Sequence, residues 1–227
     1  DSYRQEVKLV LRGEMSHTVT MGTDVYGNLT RIENALANMP QKLEKEEERI
    51  AELERQTEQA KAELGIPAGE KLVVSVWGSL GAGHMNEVLT EMIPMLDGRQ
   101  GFRLLHAAGS RYYAGMAEKL GETAPDMAEH GVELREYIYD MPRVMTAADL
   151  VVCRAGASTI SELCYMGKPV IIVPSPNVTN NHQERNARVL ERAGGAKVLL
   201  EGSFTADDLY NLVSDLLADP AQLAQMA

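Results

Sequence analysis

The sequence has little cysteine and no long apolar run, and each shortage excludes a class of protein. Cys153 and Cys164 are its only cysteines, too few for the disulfide framework of a small secreted domain and without the spacing of a metal site. Cys153 ends an apolar run and Cys164 falls inside a predicted helix, so we expect both thiols to be buried. No stretch approaches the ~20 apolar residues that span a bilayer, and no signal peptide is visible. We therefore expect a soluble protein of the reducing cytoplasm.

Positive charge is also in short supply. The 227 residues include 22 Lys and Arg against 33 Asp and Glu, for a net charge of −11. This balance argues against nucleic acid as a partner, and against anionic lipid as a partner for the surface as a whole. A hydrophobic content of 44% beside 24% charged residues supports a real core, which excludes a disordered chain. The chain starts at Asp1 and stops within a predicted helix, so we expect truncation at both ends.

Residues 1–63 differ in kind from the rest and are expected to form a separate segment. Two short alternating patterns predict a hairpin, the first at Val7, Leu9 and Leu11 and the second at Val19 and Met21. From residue 29 to residue 64 apolar residues recur at heptad spacing, which predicts a helical coiled coil and self-association through it. Asn38 is expected to end one helix and Pro40 to start the next. His17 has no acid or nucleophile near it in sequence, so we assign it no catalytic role.

Residues 64–227 alternate between strand and helix patterns. Strands are predicted at residues 72–76, 102–107, 132–137, 150–153, 169–173 and 196–200, with a last helix at 205–217. Six strands separated by helical crossovers predict an α/β domain with a doubly wound parallel sheet. The handedness of crossovers leaves few topologies, and we expect the strand order 3-2-1-4-5-6.

The stretch from residue 150 to residue 186 predicts an anion site. A buried strand breaks at a small-residue turn into a helix that carries Ser158 and Thr159 at its start and Glu162 within two turns. The dipole and free N–H groups of such a helix start bind anions, and the carboxylate suits a sugar diol. A structural alternative is that the hydroxyls cap the helix and Glu162 completes a capping box, which we would prefer for an isolated motif. His182 and Gln183 follow the next strand and shift the balance toward a ligand site.

A glycine-rich turn at residues 78–83 follows the first strand of this domain. It fails the P-loop pattern, because His84 and Met85 stand where that pattern needs a lysine and a hydroxyl. It also fails the dinucleotide pattern, because Asn86 replaces the third glycine. An ATPase or a dinucleotide dehydrogenase is therefore not favoured. The turn, with Ser79 exposed, can still approach a pyrophosphate through its backbone N–H groups.

Four further residues carry open or structural interpretations. The backbone of Ile138 could pair with the edge of a planar base, or Ile138 could simply be a core residue. Asp140 is expected to cap the following helix, and His106 to be a hydrogen-bonded interior histidine. Arg154 could equally face a phosphate or pair with a carboxylate.

Several of these motifs together resemble the C-terminal half of the MurG family of GT-B glycosyltransferases. The resemblance runs from about residue 64 to the end of the chain. It is carried by residues 78–82 with Asn86, residues 137–141, 153–162 and 167–169, and by His182 and Gln183 with Asn186 and Ala187. Members of this family transfer N-acetylglucosamine from UDP-GlcNAc to the undecaprenyl-linked acceptor lipid I, which gives lipid II for peptidoglycan synthesis.

The resemblance implies a role for each matched position. It implies that Ser79 contacts the donor pyrophosphate and that the backbone of Ile138 meets uracil. Ala157, Ser158 and Thr159 would lie against the phosphates, Glu162 would accept hydrogen bonds from the ribose, and Gln183 with His182 would hold the GlcNAc hydroxyls. The family needs neither a metal ion nor another cofactor. The catalytic base is expected in an N-terminal domain that is not recognisable here, so the catalytic residue stays unassigned.

The same resemblance implies that the acceptor lipid I is bound by that other domain. It also implies that the protein associates peripherally with the cytoplasmic face of the cell membrane. Residues 1–62 resemble instead the C-terminal tail of large helicase and methylase proteins of conjugative elements, which implies a helical tail and either a gene fusion or an assembly join near Glu63. We expect this chain to bind UDP-GlcNAc weakly without transferring sugar.

Two alternatives stay open. One is an interaction protein in which a coiled coil carries an inactive nucleotide-sugar domain. The other is a different GT-B transferase or a UDP-GlcNAc epimerase, although an epimerase needs acidic and histidine catalysts that we do not find in this sequence.

Overall fold

The computed structural model describes residues 8–11, 15–18 and 25–227. Its contacts divide the chain into two units, Asp1–Glu54 and Arg55–Ala227, which are described separately. The boundary between these units lies inside a helix. The expected boundary at residues 63 and 64 stays a prediction.

The first unit contains a two-stranded antiparallel sheet. Its strands are β1 (Lys8–Leu11) and β2 (Met15–Thr18), with Leu9 opposite His17. This agrees with the predicted hairpin, although the second strand lies earlier in the chain than the pattern suggested. Val7, Val19 and Met21 lie outside the described residues.

A single helix, α1 (Val25–Glu63), follows and has Pro40 in its interior. The predicted break between Asn38 and Pro40 is therefore wrong. Proline inside a helix removes one hydrogen bond and crowds the preceding turn. Residues 41–63, however, are dominated by Glu, Lys, Arg, Ala and Leu, which favour the helix most strongly, and their preference outweighs the local cost of the proline.

The second unit is built on one six-stranded sheet. The strands are β3 (Lys71–Val76), β4 (Phe102–Ala107), β5 (Val132–Arg135), β6 (Leu150–Cys153), β7 (Val170–Ile172) and β8 (Ala196–Val198). All pairings are parallel and the order is β5-β4-β3-β6-β7-β8. Counted within this unit the order is 3-2-1-4-5-6, so the predicted doubly wound α/β fold is confirmed. β5 and β8 end earlier than their sequence patterns predicted.

Helices cover both faces of this sheet because its central strands are apolar on both sides. The helices are α2 (Gly83–Met92), α3 (Tyr113–Thr123), α4 (Met141–Ala147), α5 (Ala157–Met166), α6 (His182–Arg192), α7 (Ala206–Ala218) and α8 (Pro220–Met226). α2, α3, α7 and α8 pack on one face. α4, α5, α6 and the last turns of α1 pack on the other. Every residue of β6 and β7 is buried between the two layers.

The last turns of α1 are anchored to the sheet by a buried charge cluster. Lys61 is only 2% exposed, and its Nζ lies 2.8 Å from Asp149 Oδ2. Asp149 also accepts a hydrogen bond of 2.7 Å from the backbone N–H of Leu72 and lies 3.2 Å from Lys71 Nζ. A buried ammonium group is tolerated only when it is paired in this way. These contacts therefore hold the last turns of α1 against the sheet.

The two cysteines occupy different environments. Cys153 is fully buried, as predicted, and burial raises the pKa of its thiol to about 12. Cys164 is exposed on α5, so the prediction that it is buried is wrong. Its neighbour Leu163 takes the core-facing position of the helix, and the next residue points about 100° away from it. Within the described residues, no helix combines the length and the apolar character that crossing a bilayer requires.

A buried polar network joins β3, β4 and α2. His106 is fully buried, with Nδ1 3.1 Å from Ser75 Oγ and Nε2 3.0 Å from Asn86 Oδ1. Asn86 Nδ2 donates to the carbonyl oxygen of Ala108 at 2.8 Å, so its Oδ1 must accept from His106. The histidine therefore carries its proton on Nε2 and accepts from Ser75 through Nδ1. This confirms the prediction of a hydrogen-bonded interior histidine.

Burial makes this histidine a pH-dependent element of stability. Desolvation lowers the pKa of His106 to about 4 from 6.5, so the unfolded chain takes up this proton first as the pH falls. The contribution of His106 is complete above pH 6.5 and is lost between pH 6.5 and 4, by about 3 kcal/mol. We expect urea unfolding to show a smaller loss of stability between pH 7 and pH 4 in His106→Gln than in the wild type. Equal losses in the two proteins would contradict this.

Candidate functional site

A cavity of about 340 Å³ opens at the carboxyl edge of the sheet. Val76 and Cys153 lie opposite each other in the sheet register, so β3 and β6 end level with each other. The strand order reverses between these two strands, which is where open α/β sheets bind ligands. The cavity is lined by Val76, Trp77, Gly78, Ser79, Ala107, Tyr137, Ile138, Met141, Cys153, Arg154, Gly156, Thr159 and Gln183. It therefore occupies the position that the fold predicts for a ligand site.

Four of the eight predicted site residues line this cavity. They are Ser79, Ile138, Thr159 and Gln183. The other four, Ala157, Ser158, Glu162 and His182, are exposed beside it. Ala157 and Ser158 belong to the first turn of α5 and Glu162 to its second. The fold thus brings the predicted residues to one edge of the sheet, but only half of them to the cavity wall.

The N-terminus of α5 is not capped by a side chain. Gly156 is the N-cap, with φ −66° and ψ 139°, and no side chain accepts a hydrogen bond from the first turn. The alternative in which Ser158 and Thr159 cap the helix and Glu162 completes a capping box is therefore not observed. The N–H groups of a first turn have no partner within the helix, and here they lie next to the cavity. The positive end of the helix dipole adds to their attraction for an anion.

Ile138 is a core residue that also lines the cavity, so both interpretations of its sequence position remain compatible with the structure. Its side chain is 1% exposed and belongs to the core. Its backbone N–H and C=O make no hydrogen bond within the described part of the chain, and the residue lines the cavity. Backbone groups that are left without a partner in a cavity wall are suited to pair with a planar ligand.

Asp140 does not cap α4 as predicted. It occupies the N-cap position with φ −106° and ψ 57°, and its side chain accepts no hydrogen bond from the helix. Its carboxylate lies instead 2.8 Å from Arg143 Nε. The backbone is not in the extended conformation that directs an N-cap side chain toward the first turn.

Gln183 is oriented by the loop that follows β7. Its Oε1 accepts a hydrogen bond of 2.9 Å from the backbone N–H of Ser175, and its amide NH₂ has no hydrogen-bond partner among the described residues. Asn180 and Asn181 adopt left-handed conformations with φ of 57° and 51°, which asparagine tolerates better than most residues. They turn the chain into α6 so that Gln183 reaches the cavity. His182 is exposed and does not line the cavity, and its Nδ1 lies 2.9 Å from the carbonyl oxygen of Thr179.

Arg154 pairs with a carboxylate, which is one of the two roles that the sequence left open, and it also lines the cavity. Its Nη1 lies 2.5 Å from Glu201 Oε2, with both side chains 15% exposed. The contact is an ion pair, because its geometry does not meet that of a hydrogen bond. The guanidinium also donates to the carbonyl oxygen of Val173 at 3.1 Å and lies 5.7 Å from the centre of the Trp77 ring. It therefore ties together the ends of β3, β6 and β7 and the segment after β8.

Sequence reasoning missed Trp77 and Glu201. Trp77 continues the apolar run of β3 and could have been identified as the residue that carries this run into the glycine turn. Glu201 stands in a short loop with no motif around it, so no local signal pointed to its contact with Arg154.

The cavity offers binding groups rather than a reactive side chain. Cys153 is held as a neutral thiol by the burial that raises its pKa to about 12, and Arg154 is already paired. Among the described residues, no group of three or more His, Cys, Asp or Glu side chains could hold a metal ion. A helix start for an anion, free backbone groups for a planar ring and an amide for hydroxyls together define a nucleotide-binding type of α/β domain.

The chain belongs to glycosyltransferase family 28, since the model of that family's C-terminal domain matches residues 72–227. A solved structure similar to it is Acinetobacter baumannii MurG, at 25% identity and a TM-score of 0.58, over 74% of this chain and 46% of that one. The kitacinnamycin glycosyltransferase is 26% identical with a TM-score of 0.56, over 70% and 38% of the two chains. The sheet domain is thus the C-terminal Rossmann-like domain of a GT-B enzyme, as predicted.

Two curated relatives carry the same functional name. The chain is 46% identical over 175 residues to the UDP-N-acetylglucosamine–N-acetylmuramyl-(pentapeptide) pyrophosphoryl-undecaprenol N-acetylglucosamine transferase of Acetivibrio thermocellus, covering 77% of this chain and 46% of the relative. The enzyme of the same name from Ruminiclostridium cellulolyticum is 43% identical, over 72% of this chain and 44% of its own length. The chain therefore spans about half the length of the curated relatives that it matches.

The ion pair beside the cavity should contribute to stability. Glu201→Gln leaves the half-buried Arg154 without a charged partner, and we expect the free energy of unfolding to fall by about 2 kcal/mol. Trp77, the only tryptophan, reports the transition by fluorescence in urea. The control is Glu133→Gln, which removes a more exposed pair with Arg135 and should change stability by less than about 0.5 kcal/mol. A similar loss in both variants would contradict the assigned role.

Proposed function

We propose that the sheet domain binds the UDP-sugar donor UDP-GlcNAc, and that the whole protein transfers its GlcNAc to lipid I to give lipid II. The single observation that carries this proposal is the cavity at the switch point. There an uncapped helix start, a glycine turn and the unpaired backbone of Ile138 surround one space. The names of the matched relatives support the choice of donor and acceptor.

The proposed pose extends from the core to the rim of the cavity. Uracil pairs with the backbone of Ile138, which is the part of the wall with a free donor and a free acceptor. The pyrophosphate lies between Ser79 in the glycine turn and the first turn of α5, formed by Ala157, Ser158 and Thr159. Glu162, one helical turn further along α5 than Ser158, takes the ribose hydroxyls.

The sugar is assigned to the remaining polar group. The amide of Gln183 has its oxygen held by Ser175, so its NH₂ group is the end that can donate to a GlcNAc hydroxyl. His182 is exposed at the start of α6 and completes the polar rim around that sugar. In this pose, residues along one edge of the sheet contact the donor over its whole length, from the base to the sugar.

In the proposed reaction the bond between the sugar C1 and the β-phosphate oxygen breaks and UDP leaves. The acceptor hydroxyl oxygen of lipid I forms the new bond to C1, and its proton passes to a base. Negative charge grows on the leaving phosphate in the transition state. The helix dipole of α5 and the backbone N–H groups of the glycine turn stabilise that charge without requiring a metal ion.

We place the catalytic base and the contacts to lipid I in the half of the relatives that this chain does not match. The proposed site of action is the cytoplasmic face of the cell membrane, where the protein would bind peripherally because its acceptor is a membrane lipid. This chain is expected to bind the donor without transferring sugar. The resemblance of residues 1–62 to a helicase and methylase tail stays a prediction.

Donor binding is tested by calorimetry on the whole chain with UDP-GlcNAc, UDP and ADP. We expect UDP to bind at least about tenfold more tightly than ADP, since the pairing at Ile138 distinguishes the bases. Equal affinities for UDP and ADP would remove the basis of the proposal. Lipid II synthesis by this chain alone would contradict the placement of the base.

The assignment of Glu162 has its own test. Glu162→Gln should weaken UDP by about tenfold, because a hydrogen bond to a charged carboxylate is lost, and should weaken 2′-deoxy-UDP by less. The control is Glu122→Gln, which changes an exposed residue near the end of α3 that does not line the cavity. This variant should leave both affinities unchanged. Identical losses for the two ligands would show that Glu162 does not contact the ribose 2′-hydroxyl.

A second candidate function is interaction through α1. Ile50 and Leu53 are 44% and 43% exposed and lie three residues apart, on one face of the helix. We propose that they belong to a seam through which two copies associate, within the predicted region 29–64. Ala60 is instead buried in the core of the sheet domain, so the seam ends before it.

Sedimentation of the whole chain tests this association. We expect a concentration-dependent dimer in the wild type and a monomer in the double variant Ile50→Lys and Leu53→Lys, because charges at a seam oppose packing. A wild-type chain that stays monomeric across the concentration range would rule out the seam.

A further inference from the structure

Two loops at the carboxyl edge of the sheet are in direct backbone contact. Gly81 lies in the glycine turn after β3 and Gly109 in the loop after β4, with φ of +80° and +85°. A Cβ atom at Gly81 would overlap the carbonyl oxygen of Ala108, and one at Gly109 would overlap the backbone of Gly81 and Leu80. Positive φ alone favours glycine at both positions. The lack of space for a side chain shows in addition that the two loops are already at their closest approach.

The loop after β4 also holds the glycine turn by hydrogen bonds and by packing. The backbone N–H of Ser110 donates to the carbonyl oxygen of Ser79 at 3.1 Å. The ring of Tyr112 covers the turn, since a Cβ at Gly81 would lie 2.9 Å from its Cδ2 and one at Gly83 would lie 3.2 Å from its hydroxyl oxygen. Holding the carbonyl of Ser79 orients the adjoining peptide groups of the turn.

The buried hydrogen-bond network of His106 also contacts the loop after β4. Asn86, 4% exposed, donates from Nδ2 to the carbonyl oxygen of Ala108, directly before Gly109. Its backbone N–H binds the carbonyl oxygen of Ala82 in the glycine turn at 2.9 Å. A single buried asparagine therefore connects both loops. Neither Asn86 nor Gly109 lines the cavity.

We propose that Gly109 and Asn86 are positioning residues for the pyrophosphate of the donor. They hold the glycine turn at residues 78–83 in the conformation in which its backbone meets the phosphates, without touching the ligand themselves. This inference rests on the proposed function, because it needs a nucleoside diphosphate in the cavity. Its signature is selective: disturbing these residues weakens the recognition of the diphosphate and leaves the recognition of the nucleoside intact.

The test compares UDP with uridine in calorimetry on the whole chain. In Gly109→Ala the added methyl group forces the two loops apart, and we expect the dissociation constant for UDP to rise by about tenfold while that for uridine changes by less than about twofold. The matched control is Gly194→Ala. Gly194 has φ +87° and nothing within 4 Å of an added Cβ, so it carries the same backbone strain without the clash. We expect it to keep the wild-type ratio of UDP to uridine affinity.

A second variant covers the case in which Gly109→Ala does not fold, which circular dichroism would reveal. Tyr112 is half-buried, so Tyr112→Ala should fold. It removes the ring that covers the glycine turn, and the UDP affinity should fall by about threefold with that for uridine unchanged.

The outcomes separate the two levels of the proposal. A wild-type chain that binds neither UDP nor uridine overturns the proposed function and this inference with it. A wild-type chain that binds UDP, with folded variants that keep the wild-type ratio or lose both ligands equally, overturns the positioning role alone. Selective loss of UDP in the loop variants, with Gly194→Ala unaffected, establishes it.

Discussion

The alignment of parallel strands is the constraint on which the rest of this domain depends. All strands of the sheet run the same way, so every strand ends at the same edge and the loops after them meet. Within the sheet the strand backbones pair with one another, but beyond the strand ends backbone groups have no strand partner. Ile138 and the first turn of α5 present such groups to the cavity. A site made of backbone groups follows directly from this geometry.

The groups at the edge are held in place by two sets of polar contacts. Arg154 joins four strand ends through Glu201, Val173 and Trp77, and Asn86 joins the two loops on the other side of the switch point. Asn86 is buried and Arg154 is half-buried, and leaving such a group without its partner costs more free energy than forming the contact contributes. These contacts favour an edge that is ordered before a ligand arrives, and such pre-organisation lowers the entropic cost of binding.

Much of the fold could be predicted because local sequence patterns indicate its strands, turns and helices. Residues 150–153 are apolar throughout and residues 102–107 are mostly so, and the spacing and crossovers of such strands leave few strand orders. The errors share one physical origin. Pro40, Cys164 and Asp140 were each judged from their immediate neighbours, whereas helix formers over more than twenty residues, the rotation of a helix and a nearby arginine decided them.

By itself the sequence determined the sheet, its order, and which loops carry polar and glycine residues, since periodicity and turn chemistry act over a few residues. Only the tertiary structure decided which of those residues share the cavity. It placed Thr159 and Gln183 on the wall and His182 outside it, and it paired Arg154 with Glu201, which lies 47 positions away in the numbering. It also brought Gly81 against Gly109. Such contacts depend on how elements pack against one another, and no spacing along the chain encodes them.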